Sequence, residues 1–397
     1  MFKNKALIPI AVVVFVDLLG FSIILPLLPF YAATFQAGPE LIGYLVASYS
    51  VCQFIAAPIL GGLSDRFGRR PLLIYSQIGS MLGFIMLGLA NSLPMLFISR
   101  IIDGLSGGNI TIAAAYIADV TEPKDRAGAM AIIGIGFGLG FMVGPLIGGT
   151  LATHFGYAVP AFVAAGFAAS STLLTTFYLK EYTHKPDPNA KKGLAQYTRV
   201  FDYFKIPNLR TLLTIFLFFA LPFSLYVSMF SLYAKIELNF TPEQVGEFLA
   251  FIGVVGVIWQ GGVVRPLVKR FGEVNAMRAG MIALMLGLLG IVIATNWWQL
   301  GLVAIVFSFG TGITRPTISS LISQASPPGR RGGAMGVSSS IESFSRSVAP
   351  ILGGWIIGGL YPNYIGYVGA FLAAIGLVLA FLVKFDSHEV TGEIIID

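Results

Sequence analysis

The sequence runs to 397 residues, of which 56% are apolar and only 11% charged, whereas an ordinary soluble domain devotes about a quarter of its residues to charge. So little charge cannot cover a water-exposed surface. Division into runs of the ~20 apolar residues that cross a hydrocarbon layer leaves little chain for a soluble domain.

Lys3 and Lys5 precede the first apolar run as they would a signal peptide, but the run passes Asp17 and continues to Phe35 without a small-residue cleavage site. It reads as a retained first span, near 6–32. Further spans are predicted near 41–62, 71–90, 94–119, 128–151 and 158–179. A second set follows near 211–235, 243–266, 275–295, 298–323, 332–356 and 363–384. Between the sets lies the longest polar stretch, Lys180 to Arg210, with His184, Lys185, Pro186, Asp187, Pro188, Lys191 and Lys192. The expected organisation is a six-helix bundle over 1–180, a cytoplasmic linker over 181–210, and a second bundle with a short cytoplasmic tail over 211–397. The expected class is an all-α membrane protein of twelve transmembrane helices in two pseudo-symmetric six-helix bundles.

The net charge of +6 reflects topology rather than a nucleic-acid footprint. With a cytoplasmic N-terminus, 21 of the 25 Lys and Arg fall in inner segments or at inner helix ends: Lys3 and Lys5, Arg66 to Arg70, Lys124 and Arg126, Lys180 to Arg210, Arg265 to Arg278, Arg330 and Arg331, and Lys384. Only Lys235 falls in an outer loop, while Arg100, Arg315 and Arg346 fall within spans. This is the bias of the positive-inside rule for an even number of spans. The single cysteine, Cys52, lies in an apolar run and allows no internal disulfide.

The two sets of spans repeat. Pro39, Glu40 and Gly43 recur as Pro242, Glu243 and Gly246, an offset of 203 residues. Arg66, Phe67 and Gly68 recur as Arg270, Phe271 and Gly272, an offset of 204. Gly128, Ala129, Met130, Pro145, Gly148 and Gly149 recur as Gly333, Ala334, Met335, Pro350, Gly353 and Gly354, an offset of 205. Three blocks in one order at nearly one offset point to parallel repeats. Halves related by an axis along the membrane normal place a site near the midplane between them.

Several positions carry chemistry beyond packing. Asp17 stands midway in its apolar run with no basic residue nearby in sequence, and an ionisable group in a span marks a functional site by default. It is read as a proton-coupling residue, with a structural hydrogen bond as the alternative. Arg100 lies within the fourth span; Asp103 is one turn away and neutralises it locally or joins it in lining a cavity, with Asn109 just beyond. Glu342 and Arg346 lie one turn apart on the eleventh span beside a run of serines, and Arg315 lies on the tenth. Glu342 is the second proton-coupling candidate, and Arg315 and Arg346 are cavity candidates; a buried pair that fixes packing is the competing reading. The aromatic run of Phe216, Phe218, Phe219, Phe223, Tyr226 and Phe230 on the seventh span is assigned mainly to packing and lipid contact. No phosphate-cradling loop and no histidine pair at metal spacing occurs, His154, His184 and His388 being scattered. Neither an ATP-driven pump nor a metalloenzyme is expected, and no cofactor.

Two motifs complete the reading. The inner loop Gly61, Gly62, Leu63, Ser64, Asp65, Arg66, Phe67, Gly68, Arg69, Arg70, Pro71 closely resembles the signature loop of the major facilitator superfamily. Its glycines permit a tight turn, Asp65 can accept from a neighbouring helix end, and Arg69 and Arg70 can pair with acids across the interface of the halves. The resemblance implies a gate at Gly61, Asp65, Arg66, Gly68, Arg69 and Arg70; its copy has Lys269 where Asp65 stands. The fifth span carries Gly136, Gly140, Gly144 and Gly148 at every fourth position, a stripe that lets helix backbones approach closely. With Pro145 and Gly149, the run Gly140 to Gly149 also resembles the motif of the antiporter branch. The first span around Asp17, continuing to Leu25, Pro26, Leu27, Leu28 and Pro29, is similar to that of drug and proton antiporters, including tetracycline exporters. The resemblance spans the whole chain and departs at Gly83, Gly256 and Leu284, where tetracycline exporters carry an acid, a histidine and an acid.

The resemblance implies a monomeric antiporter in a bacterial inner membrane, both termini cytoplasmic, exchanging protons for amphipathic small molecules or drugs by rocker-switch alternating access. A facilitator or symporter of a polar metabolite such as a sugar, or a lipid carrier, is the alternative within transport. A transporter-like sensor is the alternative from another class.

Overall fold

A computed structural model describes residues 7–122, 125–181, 200–327 and 330–382. Lys3, Lys5, Lys124, Lys384, His388 and the linker residues His184 to Lys192 lie outside the described residues.

The first set of helices is α1 (Leu7–Ile24), α2 (Leu28–Thr34), α3 (Pro39–Phe67), α4 (Arg69–Gly88), α5 (Leu93–Leu105), α6 (Asn109–Val120), α7 (Arg126–Phe155) and α8 (Ala158–Tyr178). A short α9 (Val200–Tyr203) leads to α10 (Pro207–Glu237), α11 (Pro242–Ile258), α12 (Val264–Ile293), α13 (Trp297–Gln324), α14 (Arg331–Gly359) and α15 (Tyr364–Leu382). No strand occurs among the described residues.

Ten stretches among the described residues are long and apolar enough to cross a membrane, against the twelve expected. One of them, Pro242–Ile293, has 52 residues and so the length of two crossings. There α11 continues through a π-helical turn, Trp259–Val263, into α12, which is interrupted at Gly272 with φ 77 and ψ 163. The expected polar loop between the eighth and ninth spans is thus reduced to a glycine break. Helix α14 has 29 residues, but its serines, Glu342 and Arg346 dilute its apolar character.

Two predicted continuous spans are broken. The first bends after Ile24, where Pro26 and Pro29 cannot donate backbone hydrogen bonds, and resumes as α2 with proline in its first turn. The fourth divides into α5 and α6 at Ser106, Gly107 and Gly108, which takes Gly108 off the helical face that Arg100 and Gly104 share at a spacing of four. A break within a bilayer must find other partners for its backbone groups. Here Ser76 Oγ donates to the Ser106 carbonyl, the Gly108 N–H donates to Ser76 Oγ at 3.1 Å, and Gln53 Nε2 donates to the Gly107 carbonyl at 3.2 Å.

The described residues fall into two compact units. One comprises those of Met1–Tyr197 with Val227–Val254 and Arg346–Pro362; the other those of Thr198–Tyr226, Val255–Ser345 and Asn363–Asp397. In the first unit, α1 packs on α7 and α8, and α4 on α5 and α8. Its apolar core gathers Ile10, Val14, Leu73, Ile112, Tyr116 and Ile117. Apolar burial drives helix association weakly in lipid, so close packing must supply the cohesion. A Cβ on Gly104 would come within 2.7 Å of Cys52 Cβ, and one on Gly83 within 2.9 Å of Asp103 Cβ.

The repeat is visible in the packing of this unit. Gly43 of α3 lies against Pro350 and Gly354 of α14, and its counterpart Gly246 of α11 lies against Pro145 and Leu146 of α7. Gly149 of α7 in turn meets Pro242 and Glu243. The residues that recur in sequence therefore meet in reciprocal pairs, each pair joining an early helix of one repeat to a late helix of the other.

In the second unit α12 packs on α13 and α15. Phe219, Phe223 and Phe307 stack in series, with Tyr226 4.2 Å from Phe307 between ring centres. Phe216, Phe219 and Tyr226 are buried, the packing role assigned to them from sequence.

Candidate functional site: a charged cavity and a buried arginine junction

A cavity of about 50 Å³ lies in the first unit, lined by Asp17, Gln53, Asp103, Asn109 and Arg346 among polar groups and by Phe21, Tyr49, Phe84 and Phe137 among aromatic ones. It has room for a few water molecules, not for a drug-sized ligand, whose pockets run to about 300–1,000 Å³. Five of the predicted site residues bear on it. Asp17, Asp103, Asn109 and Arg346 line it directly, and Arg100 pairs with Asp103 at 3.0 Å, both side chains 3% exposed.

The aromatic walls tune these charges. The Arg100 guanidinium stands 5.4 Å from the centre of the Phe84 ring and that of Arg346 5.8 Å from the Phe137 ring, distances at which a cation is attracted to the π face. Arg100 Nε and Nη2 and Asn109 Oδ1 have no hydrogen-bond partner among the described residues. The broken fourth span explains the cavity's position: it puts Gly107 and Asn109 on the cavity wall.

Asp17 has a neighbour that the sequence did not single out. Gln77 of α4, fully buried, lies with Nε2 2.7 Å from Ser171 Oγ of α8 and 3.5 Å from Asp17 Oδ2. Nothing local distinguishes Gln77 in the sequence; only the α1, α4 and α8 packing brings it there. Behind Asp17 the predicted glycine stripe of α7 presses on α1: a Cβ on Gly140 would come within 3.2 Å of the Leu18 backbone, and one on Gly144 within 3.0 Å of Ile23 N. Ser22 Oγ lies 2.8 Å from the Gly140 carbonyl. Gly148 meets Ile23, and Pro145 and Gly149 meet the start of α11 as described above.

Glu342 and Arg315 lie in the second unit and meet each other. Arg315 Nη2 donates to both Glu342 carboxylate oxygens, at 3.0 and 2.8 Å.

The six residues expected to form a gate lie together at the α3–α4 junction. Gly68, with φ 101, is the whole connection between the two helices, a conformation open to glycine. Arg69 is 5% exposed; its Nε donates to Asp119 Oδ2 at 2.9 Å, and its Nη1 lies 2.5 Å from Asp65 Oδ1 and 2.6 Å from Ser64 Oγ. The Arg70 guanidinium donates to the Thr176 carbonyl, Arg66 is exposed over the Phe67 ring, and Gly61 admits Thr111. Arg69 and Arg70 were expected to reach across the halves; these bonds stay within the first unit. The α4 N-terminus was expected to be met by Asp65, but Glu181 serves it, accepting from the N–H groups of Arg69 at 2.9 Å and Arg70 at 3.1 Å. An acid just past the sixth span was the available signal.

The second unit carries the counterpart of this cluster. Gly272 repeats the positive φ of Gly68. Glu273 stands at the position of Arg69, and Gln324, by the 205 offset, at that of Asp119. Gln324 Nε2 donates to Glu273 Oε2 at 2.7 Å and Ser320 Oγ to Oε1 at 2.8 Å. The geometry is kept while the acid moves to the other partner.

The sequence matches the Major Facilitator Superfamily over residues 10–295 and 263–394. It is 29% identical over 356 residues to the class C tetracycline resistance protein of Escherichia coli, covering 88% of this chain and 89% of that protein. It is 27% identical over 388 residues to multidrug resistance protein 1 of Bacillus subtilis (strain 168), covering 97% and 98%. The fold is similar to that of the nucleoside transporter NupG, with TM-score 0.78 at 13% identity over 95% of this chain and 99% of that one. It is likewise similar to the human organic anion transporter MFSD10 (TETRAN), with TM-score 0.72 at 24% identity over 96% and 100%. The chain is an all-α integral membrane protein and belongs to the Major Facilitator Superfamily.

Proposed function

We propose that this transporter is a proton-coupled antiporter that exports amphipathic small molecules by rocker-switch alternating access, with Asp17 as the proton carrier. The observation that carries the reading is the placement of Asp17. A carboxylate in the middle of a span lines a cavity of water-molecule size, which admits protons through water while excluding a large solute. The similarity to tetracycline and multidrug resistance proteins supports export of drug-like solutes. The four aromatic side chains on the cavity wall support an amphipathic ligand, which stacks on them as the cavity opens. In this reading Arg100, Asp103, Asn109 and Arg346 shape the substrate site, and the Arg69 cluster is the inner latch. Glu342, held by Arg315, is the second proton-coupling group.

The test is uptake of a panel of amphipathic dyes and antibiotics into proteoliposomes, with and without an imposed pH gradient, comparing wild type with Asp17→Asn. Gradient-driven movement should fall at least tenfold in the variant. Movement indifferent to both gradient and substitution would overturn the reading and leave a facilitator; a sugar in the panel probes the polar-metabolite alternative.

A further inference from the structure

Gln77 is a fully buried side-chain amide beside Asp17, and its two ends are unequally used. Nε2 faces Ser171 Oγ and Asp17 Oδ2, while Oε1, equally buried, has no hydrogen-bond partner among the described residues. A buried amide oxygen without a donor is costly, and each such group in a native structure calls for an explanation. The missing donor is chemically specified. An ionised Asp17 only accepts, so it needs the NH₂ end of the amide; a protonated Asp17 carries an O–H, so it needs an acceptor. Rotation of the Gln77 amide by half a turn about its last torsion offers Oε1 in place of Nε2. Ser171 fits both settings, since its hydroxyl accepts from Nε2 in one and donates to Oε1 in the other.

We infer that Gln77 is a positioning residue that senses the protonation of Asp17, its amide presenting Nε2 to the carboxylate and Oε1 to the carboxylic acid, with Ser171 as the partner of both orientations. The inference rests on the reading of Asp17 as the proton carrier. The consequence is a polar triad spanning α1, α4 and α8 in which Gln77 keeps a bond to Asp17 and to Ser171 in either protonation state, the other end of the amide facing the unpartnered side each time, so a proton arriving at Asp17 changes the bonding of three helices at once. The 3.5 Å separation from Asp17 is a loose contact, which a change of bonding partner can tighten. The other charged or titratable groups at this cavity are Asp103 on α5, Arg346 on α14 and Tyr49 on α3, with Arg100 behind Asp103. Among the described residues, α7 and α8 contribute Phe137 and Ala168 to the cavity.

The test is pH-difference infrared spectroscopy of the full chain in liposomes, with glutamine side-chain carbonyls labelled with ¹³C so that an amide band is assigned to glutamine, and with Gln77→Met to assign it to Gln77. In the wild type a labelled amide band should change at the same pH midpoint as a carboxylic acid band. Asp17→Asn should remove both changes, and Gln77→Met should remove the amide change and reduce gradient-driven transport at least tenfold. A carboxylic acid band that Asp17→Asn removes, with no accompanying amide change, would overturn the role of Gln77 and leave Asp17 as carrier. An amide change that persists in Gln77→Met would overturn it as well. If Asp17→Asn removes no carboxylic acid band, the reading of Asp17 itself is overturned. Should Gln77→Met not fold, labelled Gln53→Met decides: an amide change that it abolishes belongs to Gln53 and would overturn the role of Gln77.

Discussion

Arg69 shows how one side chain can hold a junction together. It is almost fully buried and answers two carboxylates, Asp65 at 31% exposure and Asp119 at 13%. A guanidinium prefers such planar, multidentate company, and losing one partner leaves charge stranded in a poor dielectric. The penalty grows with burial, reaching about 3–5 kcal/mol for a fully buried pair and falling to ~1 kcal/mol or less for an exposed one. Asp119→Asn should therefore destabilise the protein in detergent more than Asp65→Asn, by about 1–2 kcal/mol on that scale. Thermal unfolding of the purified variants measures this, and equal losses would show that Arg69 does not discriminate between its partners. The loop's resemblance to the superfamily signature made Arg69 legible in sequence, but Asp119 and Glu181 were not, since each lies 50 or more residues away and meets the loop only after α6 and α8 have packed.

At the scale of elements, the glycine stripe of α7 is the clearest case of sequence dictating packing. The glycines of α7 are not equivalent, and the difference between those on the stripe and those off it can be tested. A Cβ on Gly148 would strike the carbonyl group of Ile23 on α1, whereas one on Gly138, on another face of α7, meets nothing within 4 Å. Alanine at 138 should stabilise the helix by about 0.5–1 kcal/mol through lost chain freedom in the unfolded state. Alanine at 148 must push α1 from α7, at about 1–3 kcal/mol. Unfolding of Gly138→Ala and Gly148→Ala in the same detergent compares them, and a Gly148→Ala protein as stable as wild type would remove the stripe's packing role. The breaks in the first and fourth spans were less legible than the stripe. Gly107 and Gly108 permit a break, but permission is not location. The break forms where Ser76 and Gln53 stand ready to satisfy the freed backbone groups, and those residues come from other helices. The π turn at Trp259–Val263 likewise leaves no mark in hydropathy.

The repeat governs the whole molecule, and it persists in conformation and contact even where residue identity is lost. Lys269 in place of Asp65 makes the second copy of the loop look degenerate from sequence alone, because side-chain comparison scores identity and not complementarity. The structure shows a counterpart with its acid on the opposite partner: Arg69 with Asp119 in one repeat, Glu273 with Gln324 in the other, each after a glycine of positive φ. If both clamps are one geometry in two chemistries, the first should be transplantable into the second. Glu273→Arg alone sets a guanidinium against the neutral Gln324 and Ser320, and Gln324→Asp alone sets a carboxylate against Glu273; each should destabilise. The double substitution restores opposite charges across the repeat-equivalent positions and should recover most of the loss, with a coupling of about 1–3 kcal/mol in a double-mutant cycle. The cycle reads out in thermal unfolding, where additive losses would mean that the two clamps share residues in register but not backbone geometry. Substantial recovery would mean that backbone register, rather than side-chain identity, is what the two repeats have in common.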